Sequence, residues 1–122
     1  MGNYFDLKVW QQAKDLAVRI ILLPSDNPPL KKEYSLMDQI KRSAVSIASN
    51  IAEGNAMPTT KHSLHFFYLA KGSLAELSTQ LIIARDARLI SENDFHGTGQ
   101  SIRSVGILLS KLIQSLSNTQ RP

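Results

Sequence analysis

The sequence predicts an all-α protein, an antiparallel up-down-up-down four-helix bundle. Apolar residues recur at intervals of three and four along four segments, which is the period of one helix face. Proline, glycine and helix-capping residues separate these segments. The connections are mostly short, which favours antiparallel neighbours. The 122 residues contain no alternating strand pattern and no internal repeat.

Composition favours a single domain, residues 1–122, in the cytoplasm. The chain is 43% hydrophobic, enough for one core. No apolar run approaches the ~20 residues of a membrane span, and MGNYFDLK lacks the apolar region of a signal peptide. Cysteine is absent, which excludes disulfides, thiolate catalysis and Cys-zinc sites and fits a reducing compartment. We expect no membrane association.

The first helix is predicted over residues 6–23. Asp6 is a suitable N-cap, and the apolar stripe passes through Trp10, Ala13, Ala17 and Ile20. Pro24 should end this helix, because proline cannot continue the hydrogen-bond ladder. The following PSDNPPLKKE, residues 24–33, contains three prolines and is predicted to be a loop.

The second helix is predicted over residues 35–54. Ser35 is a candidate N-cap with Asp38 three residues later, and Gly54 is a candidate C-terminal glycine. The third helix, residues 60–89, is capped by Thr59 or Thr60. Its apolar residues cover more than one face, so it should be central or buried in an assembly.

The fourth helix is predicted over residues 91–117, beginning with another Ser-x-x-Asp cap at Ser91. Gly97 and Gly99 each cost about 1 kcal/mol inside a helix, so its first turns should fray or bend. Residues 118–122 are predicted to be a disordered tail.

A polar row on the second helix is the most unusual feature of the sequence. Ser and Asn are poor helix formers, and their presence at this spacing suggests close contact with a neighbouring helix. Across the short turn after Gly54, Arg42 should face Glu76, Ser46 should face Gly72, and Asp38 should face Gln80. The spacing thus predicts an interhelical polar network of Asp38, Arg42, Ser46, Asn50, Glu53, Ser73, Glu76 and Gln80.

This row has two interpretations. In the structural one, Arg42 pairs with Glu76, and the other side chains satisfy neighbouring helix or subunit groups, which sets the register of the bundle. In the functional one, the row lines a binding surface and Arg42 is free for a phosphate group. The structural interpretation is the one we favour.

Two of these stretches also resemble a known family. DQIKRSAVSIASNIAEG (38–54), together with FFYLAKGSLAELSTQLIIA (66–84), resembles the bacterial 23S rRNA intervening-sequence proteins. FDLKVWQQAKDLA (5–17) looks like the first helix of the same family. Relatives commonly have proline where this chain has Ala48; proline there would kink the second helix, whereas alanine allows a straighter one. The last helix matches only loosely.

The resemblance implies a four-helix bundle that forms a homo-oligomer, most often a pentamer around a central channel. It implies no enzymatic activity and no cofactor. The accessory proteins of diversity-generating retroelements are similar in fold, and they bind nucleic acid and a reverse transcriptase through a basic surface. For function, that similarity supplies an analogy only.

Catalytic and metal chemistry find little support among the residues. A di-iron bundle needs Glu-x-x-His pairs, and no Glu here has His three residues later. His62 and His65 could form half of a metal site, but without further ligands a solvated helix start is the better interpretation. KGS (71–73) lies mid-helix and lacks the glycine-rich frame of a phosphate loop.

The net charge of +4 permits nucleic-acid contact without requiring it. We expect a non-enzymatic accessory protein that binds RNA or DNA, or a nucleic-acid–protein complex, through the basic surface of an oligomer. The alternative is a protein-interaction scaffold with no nucleic-acid role. The candidate nucleic-acid contacts are Lys8, Lys31, Lys32, Lys41, Lys61 and Arg103.

Overall fold

The computed structural model describes residue 4 and residues 7–120, and over these residues all regular secondary structure is helical, with no strand. This confirms the all-α prediction. The helices are α1 (Lys8–Asp26), α2 (Pro28–Lys32), α3 (Tyr34–Ala56), α4 (Thr60–Asp86) and α5 (Glu92–Gln120). Within these residues, no helix is both long enough and apolar enough to cross a bilayer.

The four long helices occupy the corners of a square. In order around the square, α1 packs on α3, α3 on α4, α4 on α5, and α5 back on α1. The largest contact joins α3 to α4. Two pairs are therefore diagonal, α1 with α4 and α3 with α5. Since consecutive long helices run in opposite directions, α1 and α4 begin at the same end of the bundle.

One hydrophobic core fills the space between the four helices. The apolar stripe of α3, formed by Ile40, Ala44, Ile47 and Ile51, is fully buried, as is the ring of Phe67 on α4. The largest fully buried side chains are Leu16, Ile20, Leu30, Ile40, Ile47, Ile51, Phe67, Leu77, Leu81, Val105 and Leu109.

The prediction that Pro24 ends the first helix is wrong, because α1 continues to Asp26 with Pro24 inside it. Only Ser25 and Asp26 follow the proline in this helix, so its effect on the ladder is confined to the final turn. The helix ends at Asn27, whose backbone is non-helical (φ −133°, ψ 76°). Asn27 precedes Pro28, and the helical conformation is sterically disfavoured for a residue that precedes proline. The Asp6 cap lies outside the described residues.

The predicted loop at 24–33 also contains a short helix. Pro28 and Pro29 begin α2, where a missing amide hydrogen costs nothing and the fixed φ of proline suits the first turn. Leu30 is fully buried and anchors this turn to the core. The buried side chain of Leu30, between a proline pair and two lysines, thus joins this connecting segment to the hydrophobic core.

Gly54 does not end its helix, contrary to expectation. No described glycine has positive φ, and α3 continues to Ala56 before Met57 adopts an extended backbone ahead of Pro58. A β-carbon at position 54 would lie 2.5 Å from Cε1 of Phe67. Gly54 therefore provides room for the phenylalanine of α4. The cap expected at Ser35 is also displaced: Glu33 is the N-cap, without a side-chain bond.

The end of α4 is a Schellman motif, three residues earlier than predicted. The amide of Leu89 donates to the carbonyl of Ala84 at 2.8 Å, and the amide of Arg88 donates to that of Arg85 at 2.9 Å. This pattern requires a left-handed residue, and Arg88 supplies it with φ 62°. Arginine at a position that favours glycine explains why the sequence pattern did not reveal this end.

The last helix, α5, runs without interruption from Glu92 to Gln120. Ser91 caps it as predicted, since its Oγ accepts from the Asp94 amide at 3.1 Å. The expected fraying at Gly97 and Gly99 is absent. The Arg19 guanidinium lies against Gly97, where a β-carbon would otherwise be, so α1 supports these turns. Residues 118–120 are helical rather than disordered, and residues 121–122 lie outside the described part.

The contact of Gly54 with Phe67 gives a direct test of the α3–α4 packing. Gly54→Ala should lower the free energy of unfolding by about 1–3 kcal/mol, because the added methyl overpacks a buried ring. Gly72→Ala is the matched control. A β-carbon there would have no neighbour within 4 Å, so helix propensity should raise stability by up to ~1 kcal/mol. Urea denaturation of both variants measures this, and equal effects would contradict the packing.

Candidate functional site

The polar row of α3 faces α4, and its centre is a hydroxyl pair. Ser46 Oγ and Ser73 Oγ lie 2.8 Å apart in a partly buried hydrogen bond. The sequence placed Ser46 opposite Gly72, one residue from its actual partner. Two small side chains allow α3 and α4 to approach closely while both hydroxyls remain satisfied.

Asn50 extends this network along α3. Its Nδ2 donates to the backbone oxygen of Ser46 and to Ser46 Oγ, both at 2.9 Å. Ser46 thus connects one turn of its own helix to Ser73 of α4. These three residues are the part of the predicted network that the structure brings together through hydrogen bonds.

The predicted ion pair of Arg42 with Glu76 does not form. Arg42 Nε donates instead to Asp38 Oδ2 at 3.1 Å, one turn earlier on the same helix. Both side chains are largely exposed, 80% for Arg42 and 63% for Asp38. Because Asp38 and Arg42 are one turn apart on the same helix, they pair without any contribution from α4. This local partner is therefore preferred to Glu76 on the neighbouring helix. Such an exposed pair contributes only a few tenths of a kcal/mol to stability.

The remaining members of the row are not joined to this network. Glu53 and Glu76 are exposed and form no ion pair within the described residues. Gln80 is half-buried, and its Oε1 is enclosed by protein with no hydrogen-bond partner among the described groups. Asp38 binds Arg42 and does not meet Gln80.

A shallow cleft separates α3 from α4 above the hydroxyl pair. Its volume is about 320 Å³, at the lower end of the range for ligand sites. Exposed charges of both signs border it, Arg42 on one helix and Glu76 on the other. The lining residues are Gln39, Arg42, Ser43, Ser46, Ser73, Glu76 and Gln80.

Neither the cleft nor the histidines form a recognisable catalytic or metal site. His62 Nδ1 lies 2.6 Å from Thr59 Oγ1, and the His62 amide donates to that same oxygen at 3.2 Å. The pair therefore caps α4. The His65 ring lies edge-on to Phe66 at 5.3 Å. Among the described residues, no three His, Asp or Glu side chains converge as metal ligands.

All six candidate nucleic-acid contacts are exposed, and none forms an ion pair in the described part of the chain. They do not form one patch on a single subunit. Lys8 and Lys61 begin α1 and α4 at one end of the bundle, whereas Lys31 and Lys32 lie on α2 at the other. Lys41 and Arg103 lie on α3 and α5.

Sequence reasoning missed Asn27, which joins the α1–α2 corner to α5. It is buried, 4% exposed. Its Nδ2 donates to the Leu23 carbonyl at 2.9 Å and to Asp94 Oδ2 at 2.8 Å, while its Oδ1 accepts from the Ser91 amide at 2.9 Å. An Asn before two prolines signals a turn, but not a partner 64 residues away.

The hydrogen-bond network predicts unequal effects for two substitutions in α4. Ser73→Ala should cost about 1 kcal/mol, because Ser46 loses its partly buried partner. Glu76→Ala should change stability by no more than about 0.5 kcal/mol, as for exposed side chains in general. Thermal unfolding of both variants measures this. A loss of ~3 kcal/mol for Glu76→Ala would restore the buried pair with Arg42.

Both the sequence and the fold are similar to those of known proteins. Residues 5–111 match the family described as 23S rRNA-intervening sequence protein. The structure is similar to that of a protein of unknown function from the S23 ribosomal protein family of Bacteroides thetaiotaomicron, with a TM-score of 0.80 and 23% identity. The similarity covers 86% of this chain and 97% of that chain. None of the curated proteins compared is detectably similar in sequence.

Proposed function

Since this chain belongs to the 23S rRNA-intervening sequence protein family, we propose that it is a non-enzymatic, oligomeric accessory protein of the cytoplasm that binds nucleic acid, or a nucleic-acid–protein complex. The observation that carries nucleic-acid binding is the set of six exposed cations that have no acidic partner among the described residues. Cations already paired with carboxylates are less available to phosphate, whereas these six are open to it.

Assembly would strengthen such binding. One subunit has a net charge of +4, with Lys8 and Lys61 at one end of the bundle and Lys31 and Lys32 at the other. In a cyclic oligomer each lysine recurs by symmetry, so dispersed charges become rings and the total charge increases with the number of copies. Phe67 lies in the core, Trp10 and Phe95 pack against it, and the exposed Tyr34 and Tyr68 lie on different helices. We therefore expect contacts to phosphate rather than base stacking, with weak sequence preference.

Exposed apolar side chains support self-assembly. In the described part of the chain, seven of the ten exposed large hydrophobic residues lie on α1 and α4, which occupy opposite corners of the square. The four of these residues that lie on α4 are exposed, which is why apolar residues surround this helix on its outer face as well as its core face. Two separate apolar surfaces favour head-to-tail contacts, which close into rings. The resemblance noted above makes a pentamer the expected ring. The seven residues are Val18, Ile21, Leu22, Tyr68, Leu69, Ile82 and Ile83.

The second candidate function is a protein-interaction scaffold with no nucleic-acid role. The same open apolar faces favour it, because contiguous exposed apolar surface commonly marks a protein-binding site. The two candidates differ in the work that they assign to the lysines: phosphate contact in one, and a solvated surface in the other.

Filter binding to single-stranded RNA and duplex DNA tests nucleic-acid binding. Affinity should fall by about 100-fold or more between ~50 and ~200 mM salt, because phosphate contacts release counterions. The double variant Lys31→Gln/Lys32→Gln should bind more weakly and with a smaller salt slope. Lys14→Gln is the matched control, since Lys14 is paired with Asp15 at 2.6 Å. Absence of binding at the lower salt concentration would favour the scaffold.

Self-assembly is tested by the mass of the native chain. Light scattering coupled to gel filtration at micromolar concentration should give a multiple of the 13.6 kDa subunit, with five subunits as the expected ratio. A subunit mass at every concentration would exclude the oligomer. Nucleic-acid binding is measured separately, so that either half of the proposal can fail alone.

A further inference from the structure

The groove between α4 and α5 is an apolar recess with a cation, Arg103, at its edge. Its volume is about 460 Å³. Leu81 and Ile82 of α4 and Phe95 and Ile102 of α5 provide its apolar lining. Arg103 lies at its edge, exposed, and forms no ion pair within the described residues.

Gly99 keeps this groove open. It lies in the interior of α5, where glycine is a poor helix former. A β-carbon at position 99 would have no neighbouring atom within 4 Å outside the helix's own backbone. Packing within the subunit therefore does not require glycine here. A missing side chain on a groove wall does, however, leave space for a group from outside the subunit.

A surface of matching character lies on α1. Asp15, Val18, Leu22 and Asp26 follow one another at helical spacing on the exposed side of α1, with Val18 48% and Leu22 59% exposed. They form the α1 side of a shallow recess that Asp94 of α5 also borders. We call these four residues the α1 ridge. Two apolar side chains lie between two carboxylates. Arg19, which is close by, directs its guanidinium to Gly97 of α5.

The charges of the two surfaces are complementary. Arg103 is the unpaired charge of the groove, since His96 lies 3.8 Å from Glu92 and Arg85 is over the Phe95 ring at 4.3 Å. Asp26 has no ion-pair partner in the described part of the chain. Complementary charges beside matching apolar surfaces give both orientation and specificity to an interface.

A subunit cannot place its own α1 ridge in its own groove. The groove lies between α4 and α5, and α1 packs on α3 and α5 but is diagonal to α4. We propose that the groove binds the α1 ridge of a second copy of this chain, with Val18 and Leu22 on the apolar lining and Asp26 near Arg103. In the ring Arg103 then belongs to the interface, and the five candidate lysines remain for phosphate. The contact is head-to-tail, and its repetition closes a ring. This inference rests on the self-assembly proposed above and names the surfaces that perform it.

Charge reversal tests the electrostatic part. Arg103→Glu should weaken association about tenfold or more, and so should Asp26→Lys, because each places like charges together. The double variant in one chain should recover association to within about threefold of the native chain, as expected for interacting sites. Sedimentation velocity across a concentration series measures all three. Lys31→Glu, which changes the net charge as Arg103→Glu does, should retain the native mass.

Filling the groove tests the steric part. Gly99→Leu should leave the helical circular dichroism and cooperative melting of the bundle intact, because the subunit has room for the side chain, while association is lost. If the native chain assembles and both Gly99→Leu and Arg103→Glu keep its mass, the groove is not the interface, although self-assembly stands. Failure of the double variant to recover association would exclude the ridge as the partner. A native chain that is monomeric at every concentration would overturn both the self-assembly proposed above and this interface.

Discussion

The close approach of α3 to α4 is the constraint on which the rest of the bundle depends. Gly54 admits the buried ring of Phe67 near one end of the contact, and the hydroxyls of Ser46 and Ser73 meet halfway along it. Larger side chains at these places would separate the helices, because a packed interior has little free volume. This contact sets the distance between α3 and α4, and α1 and α5 complete the square around the same core.

The other end of the molecule is held by hydrogen bonds rather than by small residues. Asn27 is a buried polar side chain whose amide group is engaged on both sides, with the end of α1 and with the start of α5. A buried amide left without partners would cost about 1–3 kcal/mol, so its satisfaction favours one arrangement of the corner. Through Asn27, a turn rich in proline positions the N-terminus of the last helix.

These two constraints leave the outer surface available for function. The polar row of α3 serves partly for architecture, since Ser46 and Asn50 are occupied in packing, whereas Arg42 and Glu76 remain at the surface. Most of the exposed large apolar residues described lie on α1 and α4, whereas the candidate cations are spread over all five helices. A small bundle of this kind has little room for an enclosed active site and much surface for contact with partners.

Hydrophobic periodicity alone determined the helices, their core faces and the all-α class, because burial of an apolar stripe follows directly from a period of 3.6 residues. The Thr59 and Ser91 caps were equally readable, since a hydroxyl at that position binds an amide three residues later. Helix ends set by distant or strained residues were not readable. Pro24 inside α1, left-handed Arg88 and the role of Gly54 depend on neighbours that local sequence does not specify.

For the candidate site, spacing brought Ser46 to within one residue of its true partner, because antiparallel helices joined by a short turn have a defined register. It failed for Arg42 and Glu76, since a long, flexible side chain chooses among several partners and only the folded surface shows which one lies nearest. The sequence by itself thus determined which faces meet, a matter of apolar area and chain connectivity. Only the tertiary structure decided which polar atoms bond and which surfaces stay open, because those outcomes depend on positions in space to within an ångström.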